Sequence, residues 1–72
     1  MIHKAFIKDN IVRDILLFEE GYDESIVTSI IESNGYDSAQ DCEASVAKWS
    51  TWDGVQFTNT SYEVLRELGA VN

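Results

Sequence analysis

Three glycines divide this proline-free chain into short segments in which apolar side chains recur periodically. Gly21, Gly35 and Gly69 each follow such a segment, at the position where a left-handed residue typically ends a helix. The chain has 72 residues and no Ser- or Gly-rich linker, whereas domains usually hold about 100–150 residues. We therefore expect residues 1–72 to form a single small acidic domain, mainly α-helical, with three or four packed helices.

Apolar side chains between residues 11 and 18 predict a first helix that ends near Glu20. Asp9 or Asn10 would cap the start of this helix, because their short side chains accept hydrogen bonds from unpaired backbone N–H groups. Two alternatives stay open for residues 1–15. Either one longer helix begins near residue 3, or residues 2 to 7 form a short strand.

A second helix is predicted to begin after Asp23, a favourable N-cap residue with Glu24 in the first helical turn. Its apolar face carries β-branched side chains at helical spacing, namely Ile26, Val27, Ile30 and Ile31. The pair Asn34-Gly35 then predicts its end.

A third helix is predicted after Asp37, which forms a variant of the capping box with Gln40. Apolar residues follow at steps of three, four and three positions: Ala39, Cys42, Val46 and Trp49. This spacing is typical of one helix face that packs against a core.

The tripeptide Gly-Tyr-Asp occurs at residues 21–23 and again at residues 35–37. The common helical repeats are about 33–45 residues long, so a spacing of fourteen is too short for one of them. We interpret the two copies as the same linker chemistry: Gly ends one helix, Tyr packs, and Asp caps the next helix.

Residues 50–58 differ in character, because Asp53-Gly54 stands between residues that favour β-strands. An Asp-Gly pair is a strong signal for a two-residue hairpin turn. We expect either a tight loop or a short β-hairpin packed on the helices. Thr60 and Glu63 then form a capping box, which predicts a last helix that ends at Gly69.

The predicted core is small, because a domain of this size buries only about 60% of its unfolded-chain surface. Its stability is therefore expected to be a few kcal/mol in order of magnitude. The residues of this core are Ile11, Ile15, Leu16, Ile26, Ile30, Cys42, Val46, Trp49, Leu65 and Leu68.

Charge is distributed unevenly along the chain, which has 13 acidic residues, five Lys or Arg and a net charge of −8. Residues 14–47 carry nine acids and no Lys or Arg, whereas residues 1–13 carry three of the five bases. This distribution argues against direct nucleic-acid binding, which requires a basic face. It fits a solvated acidic face, and it also provides a surface that would attract a basic protein.

The sequence favours the cytoplasm. Its apolar runs are far shorter than the ~20 residues of a membrane span, and Lys8, Asp9 and Asn10 interrupt any signal-peptide core. One cysteine excludes an intramolecular disulfide. We therefore expect a cytoplasmic protein with a reduced Cys42 and no membrane partner.

The chain offers little for catalysis or for metal binding. Cys42 is flanked by Asp41 and Glu43, and negative neighbours raise the pKa of a thiol, which reduces the nucleophilic thiolate. The only histidine is His3, so one chain cannot form a multi-His zinc site. No EF-hand, Walker or dinucleotide-binding motif is present. We expect no enzyme, no catalytic residue, no metal and no cofactor.

The acidic middle of the chain favours protein binding instead. On a helix, Glu20 with Glu24, and Asp37 with Asp41, would place carboxylates about 6 Å apart. Phosphates along one DNA strand have a similar spacing of several Å. Such a surface would imitate nucleic acid for a protein that is built to hold it.

A second feature that favours protein binding is a pair of aromatic residues. Trp52 and Phe57 lie in the expected hairpin or loop, and Trp is enriched at binding hot spots. The candidate partner-binding residues are Glu19, Glu20, Glu24, Asp37, Asp41, Glu43, Trp52 and Phe57. We expect a non-catalytic protein-binding module, an inhibitor or modulator that docks its acidic surface on a basic, nucleic-acid-handling protein. Self-association into a homo-oligomer stays open.

The segment Leu-Leu-Phe-Glu-Glu-Gly-Tyr at residues 16–22, followed by an apolar helix and Asn34-Gly35, resembles a ubiquitin-associated domain over roughly residues 11–49. That family has three short helices, and residues 20–22 would take the place of its Met-Gly-Phe/Tyr loop. The resemblance implies an alternative function, a small adaptor that binds through apolar contacts. A self-assembling structural subunit is a further alternative.

Overall fold

The computed structural model of this chain describes residues 1–59, 66, 67 and 69. Its elements are β1 (Ile2–Lys8), β2 (Ile11–Phe18), α1 (Glu24–Asn34), β3 (Ser38–Cys42), β4 (Thr51–Trp52) and β5 (Phe57–Thr58). The strands form one sheet in the order β3-β1-β2-β4-β5, and every neighbouring pair is antiparallel. The prediction of a mainly α-helical domain with three or four helices is therefore wrong, because the fold is mainly β.

Strands β1 and β2 form the central hairpin of this sheet. Asp9 and Asn10 make its two-residue turn, with φ angles of 54° and 63°, and Lys8 pairs with Ile11 across it. A type I′ turn requires positive φ at both central residues, and Asp and Asn tolerate this conformation better than most residues. These two residues turn the chain instead of capping a helix. Of the alternatives for the N-terminal region, the strand at residues 2 to 7 is the one observed.

The ladder of this hairpin contains one irregularity. Phe6 pairs with Asp14 and Ile7 pairs with Val12, so Arg13 is an extra residue in β2. An extra residue of this kind is a β-bulge, which increases the local twist of the strands. The Arg13 Nε atom donates a hydrogen bond of 3.2 Å to the Lys8 carbonyl and holds the bulge against the end of β1.

Burial on both faces of the sheet explains why β1, and Ile11 and Val12 at the start of β2, do not show the alternating pattern of a strand. Three consecutive residues of β1, Ala5, Phe6 and Ile7, are almost fully buried. A strand that is covered on both faces has a continuous apolar run instead of a simple alternation. Apolar residues in such a run also fit a helical stripe, and local pattern alone does not separate the two.

Helix α1 covers one face of the sheet. Tyr22, before the helix, contacts Phe18 with 4.8 Å between ring centroids, and Tyr36, after it, contacts Phe6 at 5.5 Å. The buried residue of α1 is Val27. The helix is therefore anchored on this face from both of its ends.

The second predicted helix is confirmed as α1, including both of its ends. The Asp23 carboxylate accepts a hydrogen bond of 2.9 Å from the Ser25 N–H and caps the start. Gly35, with φ 70°, ends the helix, and its N–H donates to the Ile31 carbonyl. Both capping interactions are local, which is why the sequence predicts them.

The third predicted helix is wrong, because residues 38–42 form β3, an edge strand that pairs with β1. His3 pairs with Cys42, and Ile7 pairs with Ser38. Side chains alternate between the faces of a strand, so Ala39 and Cys42 lie on opposite faces and do not share a seam. Pairing with a strand that is distant in sequence decides the structure of this segment over its local helical spacing.

The second face of the sheet carries the main core cluster, formed by Ala5, Ile7 and Val12. The connection between β3 and β4 and the β4–β5 hairpin cover this face. Their side chains and those of the neighbouring strands pack on the cluster and are partly buried: Ile15, Cys42, Val46, Trp52 and Phe57.

The predicted core is correct in part. Ile11 is buried, and three further predicted residues pack against the core cluster: Ile15, Cys42 and Val46. Ile26 is 49% exposed, so its assignment to the core is wrong. Leu65, Leu68 and most of the last predicted helix lie outside the described residues.

The hairpin expected near residues 50–58 is present as β4 and β5, in which Trp52 pairs with Phe57. The resemblance to a ubiquitin-associated domain does not hold. That family is built from three helices, whereas residues 11–18 and 38–42 of this chain are strands of one sheet.

Candidate protein-binding surface

The connection between β3 and β4 is fixed to the sheet by its own backbone. The Val12 N–H donates to the Ser50 carbonyl at 2.8 Å, and the Trp49 N–H donates to the Val12 carbonyl at 2.9 Å. Trp49 has a φ of 75°, which bulky residues rarely adopt. This conformation reverses the chain beside β2 and brings the following hairpin over the core.

Asn59 holds the end of the hairpin against this connection. Its Nδ2 donates to the Ser45 carbonyl at 3.2 Å, and its Oδ1 accepts from the Ala47 N–H at 3.4 Å. The fully buried Ser50 hydroxyl lies 2.8 Å from the same Oδ1 and 2.6 Å from the Ala47 carbonyl. The Asn59 side chain therefore fixes the end of β5 to three positions of the connection between β3 and β4.

The hairpin turn has four residues, 53–56, and not the two predicted for Asp53-Gly54. The Asp53 carboxylate accepts hydrogen bonds of 2.7 Å from the N–H groups of Val55 and Gln56. These backbone hydrogen bonds lower the pKa of Asp53 below its ordinary value. Gly54 has a φ of 97°, a conformation that favours glycine.

Trp52 and Phe57 form the aromatic pair of the hairpin. Their ring centroids are 4.4 Å apart and the rings are tilted by 38°. Both residues are half-buried and pack on the core cluster. Val55, at the tip of the hairpin, is 85% exposed.

An open cavity of about 380 Å³ lies between the end of β3 and this hairpin. Its lining combines the aromatic pair with Val46 and Val55, the acidic residues Asp41 and Glu43, and polar residues that include Gln56 and Asn59. We call this cavity and its lining the acidic–aromatic cavity. The fold thus brings residues 41–46 and 52–59 together in one concave site.

Asp41 links the acidic–aromatic cavity to the other face of the sheet. Its carboxylate is 3.0 Å from the Lys4 ammonium, whose side chain is only 9% exposed. Burial alone would lower the pKa of Lys4, but hydrogen bonds and charge from Tyr22 and Asp41 outweigh it, so the pKa of Lys4 is raised. The Lys4 ammonium also lies 5.2 Å from the Tyr22 ring centroid. Asp41 therefore has a structural role beside its place in the cavity.

Glu43 follows β3 and is exposed. Among the described residues, no Lys or Arg forms an ion pair with it. Its carboxylate is therefore available to a cation from outside this part of the chain.

Cys42 lies between these two acids and lines the same cavity. The register places it next to His3 on the same sheet face, and no side-chain hydrogen bond joins the two residues. Burial, and then the charge of Asp41, raise the pKa of the Cys42 thiol. The thiol is protonated at neutral pH, which is unfavourable for nucleophilic attack.

Four of the eight predicted partner-binding residues meet in this cavity: Asp41, Glu43, Trp52 and Phe57. Glu19 and Glu20 follow β2, beyond the same end of the sheet as Glu43, and Glu24 begins α1. Asp37 lies at the opposite end of β3, and its carboxylate accepts a hydrogen bond of 2.8 Å from the Asp9 N–H. The structure does not bring these last four residues into the cavity.

The argument from helical spacing is also corrected by the fold. Glu20 precedes α1 and Glu24 begins it, while Asp41 lies in a strand and Asp37 just before it. Neither pair is one turn apart on a helix, so the helical geometry from which the spacing of about 6 Å was expected does not apply to either pair.

Sequence reasoning missed Lys4 and Asn59 as organising residues. Lys4 lies in an apolar strand where its partner is 37 positions away, and Asn59 bridges segments that only the fold brings together. No local sequence pattern around Lys4 or Asn59 indicates either role.

No protein-family model, curated protein or solved structure matches this chain. Function is therefore inferred from the geometry of the cavity and its rim. In the part of the chain that the structure describes, no three His, Cys, Asp or Glu side chains are grouped so that they could hold a metal ion. No helix within the same residues has the length and apolar character needed to span a membrane.

Proposed function

We propose that this chain is a non-catalytic protein-binding module that acts as an inhibitor or modulator of a basic partner protein. The acidic–aromatic cavity and its rim are the docking surface. The observation that carries the proposal is that two acidic residues, Asp41 and Glu43, line the same open cavity as the Trp52–Phe57 pair.

Charge supports a basic partner. The chain has a net charge of −8, and the described residues that line the cavity include two acids and no Lys, Arg or His. Glu19 and Glu20 extend the negative surface beyond the same end of the sheet. Negative surfaces of this kind increase the rate of encounter with a positive surface and select against acidic partners.

The hairpin supplies an apolar anchor beside this charge. Val55 is 85% exposed at the hairpin tip, next to the half-buried aromatic pair. Stable interfaces usually combine a few buried aromatic or apolar anchors with a polar rim. A nucleic-acid-handling protein is the class of partner that we propose, because such proteins expose basic surfaces for phosphate.

The properties of the side chains around the cavity favour a non-catalytic role. The one thiol in the cavity has a raised pKa, and Asp41 and Glu43 are exposed to solvent. The site would therefore contribute negative charge and a concave surface to an interface with a partner.

The test is affinity capture from a bacterial lysate with three variants of the chain in parallel. Glu43→Lys reverses charge on the cavity rim, and Val55→Asp removes the apolar tip. Glu32→Lys makes the same charge change as the first variant, but on the exposed surface of α1 on the other face of the sheet. We expect a stoichiometric basic partner to be retained by the wild type and by Glu32→Lys, and lost by the other two.

Washes at ~50 mM and ~500 mM salt add a second criterion, because ion pairs at an exposed rim are screened by salt. We expect the partner to be lost at high salt and to be displaced by double-stranded DNA. Equal capture by Glu43→Lys and Glu32→Lys would contradict the docking surface. Retention at high salt, with loss on Val55→Asp alone, would show an apolar interface instead.

A further inference from the structure

We propose that the acidic–aromatic cavity binds the side chain of a single arginine presented by the partner protein. This inference rests on the proposed function and makes it more specific, because it names the chemical group that enters the cavity.

The lining matches a guanidinium group in its chemistry. A guanidinium is planar, always charged, weakly hydrated and able to stack on aromatic faces, and it has donors but no acceptor. The Trp52–Phe57 pair provides the aromatic surface, with ring centroids 4.4 Å apart. Carboxylates accept from guanidinium in pairs of parallel hydrogen bonds, and these are among the stronger hydrogen bonds in proteins.

Charge complementarity decides which carboxylate receives the cation. Asp41 is already paired with the buried Lys4 at 3.0 Å, on the helix side of the sheet. Glu43 lines the cavity, is exposed, and has no ion pair among the described residues. Glu43 is therefore the principal hydrogen-bond acceptor for the cation. Asp41, two residues earlier in the chain, adds to the negative electrostatic potential near the cavity.

The cavity is also large enough to hold one long side chain. Ligand pockets usually have volumes of roughly 300–1,000 Å³, and this cavity has about 380 Å³. Val46 lies at the apolar part of the lining and would contact the methylene groups of the arginine. A lysine would supply the charge but not the planar face, so it would bind more weakly.

The experiment measures binding of three capped tripeptides by nuclear magnetic resonance on the full-length protein labelled with ¹⁵N. The probes are acetyl-Gly-X-Gly-amide, with X as arginine, lysine or citrulline. Citrulline has nearly the shape of arginine but no charge. We expect saturable shifts at the Trp52 indole N–H and at Glu43, with affinity in the order arginine, lysine, citrulline. The Trp49 indole, which does not line the cavity, is the internal control.

Two variants locate the site. Glu43→Gln removes the charge of an exposed side chain and is expected to weaken the arginine tripeptide by roughly fivefold to tenfold, as for one charge-assisted hydrogen bond. Glu32→Gln, on the opposite face of the sheet, is expected to leave this affinity unchanged. Trp52→Leu keeps an apolar residue on the core and is expected to reduce the preference for arginine over lysine.

The outcomes separate this inference from the proposed function. Equal binding of arginine and lysine tripeptides, or shifts that Glu43→Gln leaves unaltered, would overturn the arginine assignment. If no tripeptide binds while Glu43→Lys still abolishes capture of a protein partner, the arginine inference fails and the proposed function stands. If capture also fails to depend on Glu43, both fail together.

Discussion

Asp53 organises the turn of the β4–β5 hairpin through a single exposed carboxylate. Both of its hydrogen bonds, to the N–H groups of Val55 and Gln56, are 2.7 Å long and favour the ionised form of the side chain. The pKa of Asp53 is therefore lower in the folded chain than in the unfolded chain. A group with a lowered pKa stabilises the fold above its unfolded pKa of about 3.9, and this contribution is lost as the pH falls through the folded value.

Replacing Asp53 by Asn should therefore change the pH dependence of stability. Asn keeps an oxygen that can accept one of the turn hydrogen bonds, but it carries no charge at any pH. We expect Asp53→Asn to lower the melting temperature at pH 7 and to lose less further stability between pH 5 and pH 2 than the wild type. Circular dichroism melts at these pH values measure both effects. The exposed Glu32→Gln variant is the control, and parallel curves for Asp53→Asn and wild type would contradict the role of this carboxylate.

Residues that act on their near neighbours are the ones that the sequence predicts well. Asp23 and Gly35 cap α1 as expected, because each capping bond spans only a few residues. Lys4 and Asp41 are 37 residues apart, and their pairing depends on the register between β1 and β3. Four of the eight predicted partner-binding residues line the cavity. Residue type alone makes Asp41, Glu43, Trp52 and Phe57 candidates, and only the fold selects these two acids from the others.

Among the elements, α1 was predicted and the β1–β2 hairpin was not. A helix is determined by contacts within one segment, whereas β1 is covered on both faces and its apolar run has no simple period. The turn between β1 and β2 also lacks glycine and uses Asp9 and Asn10 at positive φ. The weak local signals of β2 and β3 are the physical reason that these two strands resemble helices in sequence.

The two Gly-Tyr-Asp tripeptides show how one local motif serves two kinds of junction. In both copies the tyrosine packs on the helix-covered face of the sheet, as Tyr22 does on Phe18 and Tyr36 on Phe6. Asp23 caps a helix, as the motif predicts. Asp37 instead accepts from the Asp9 N–H at 2.8 Å, so it ties the β1–β2 turn to the start of β3.

Removing this tie should destabilise the central sheet without affecting the docking surface. We expect Asp37→Ala to reduce the free energy of unfolding by about 1 kcal/mol, the usual contribution of one such hydrogen bond. A change of this size corresponds to roughly 4–8 °C in melting temperature for a domain of this length. Asp37→Asn, which keeps an acceptor oxygen, should lose less. Capture of the partner should be unchanged, and a stable Asp37→Ala variant that no longer binds would show that Asp37 belongs to the interface.

At the scale of the whole molecule, the same charge has opposite effects on folding and on binding. The net charge of −8 on 72 residues opposes the compact state through mutual repulsion of the carboxylates. In the function that we propose, the same carboxylates would attract a basic partner from solution. Composition alone establishes this conflict, whereas the position of the acidic–aromatic cavity depends on how the hairpin folds back over the sheet.

Added salt should therefore stabilise the chain and weaken its complex. Salt shortens the Debye length from about 30 Å at 0.01 M to less than 10 Å above 0.15 M, which screens repulsion within the chain and attraction between the partners alike. We expect the melting temperature to rise by on the order of 5 °C between low salt and 500 mM sodium chloride, while partner capture falls over the same range. The double variant Glu19→Gln, Glu20→Gln removes two exposed charges outside the cavity. It should melt higher than the wild type at low salt and respond less to added salt. A melting temperature that falls with salt, or an equal response of both proteins, would show that mutual repulsion of the acids does not limit the stability of this fold.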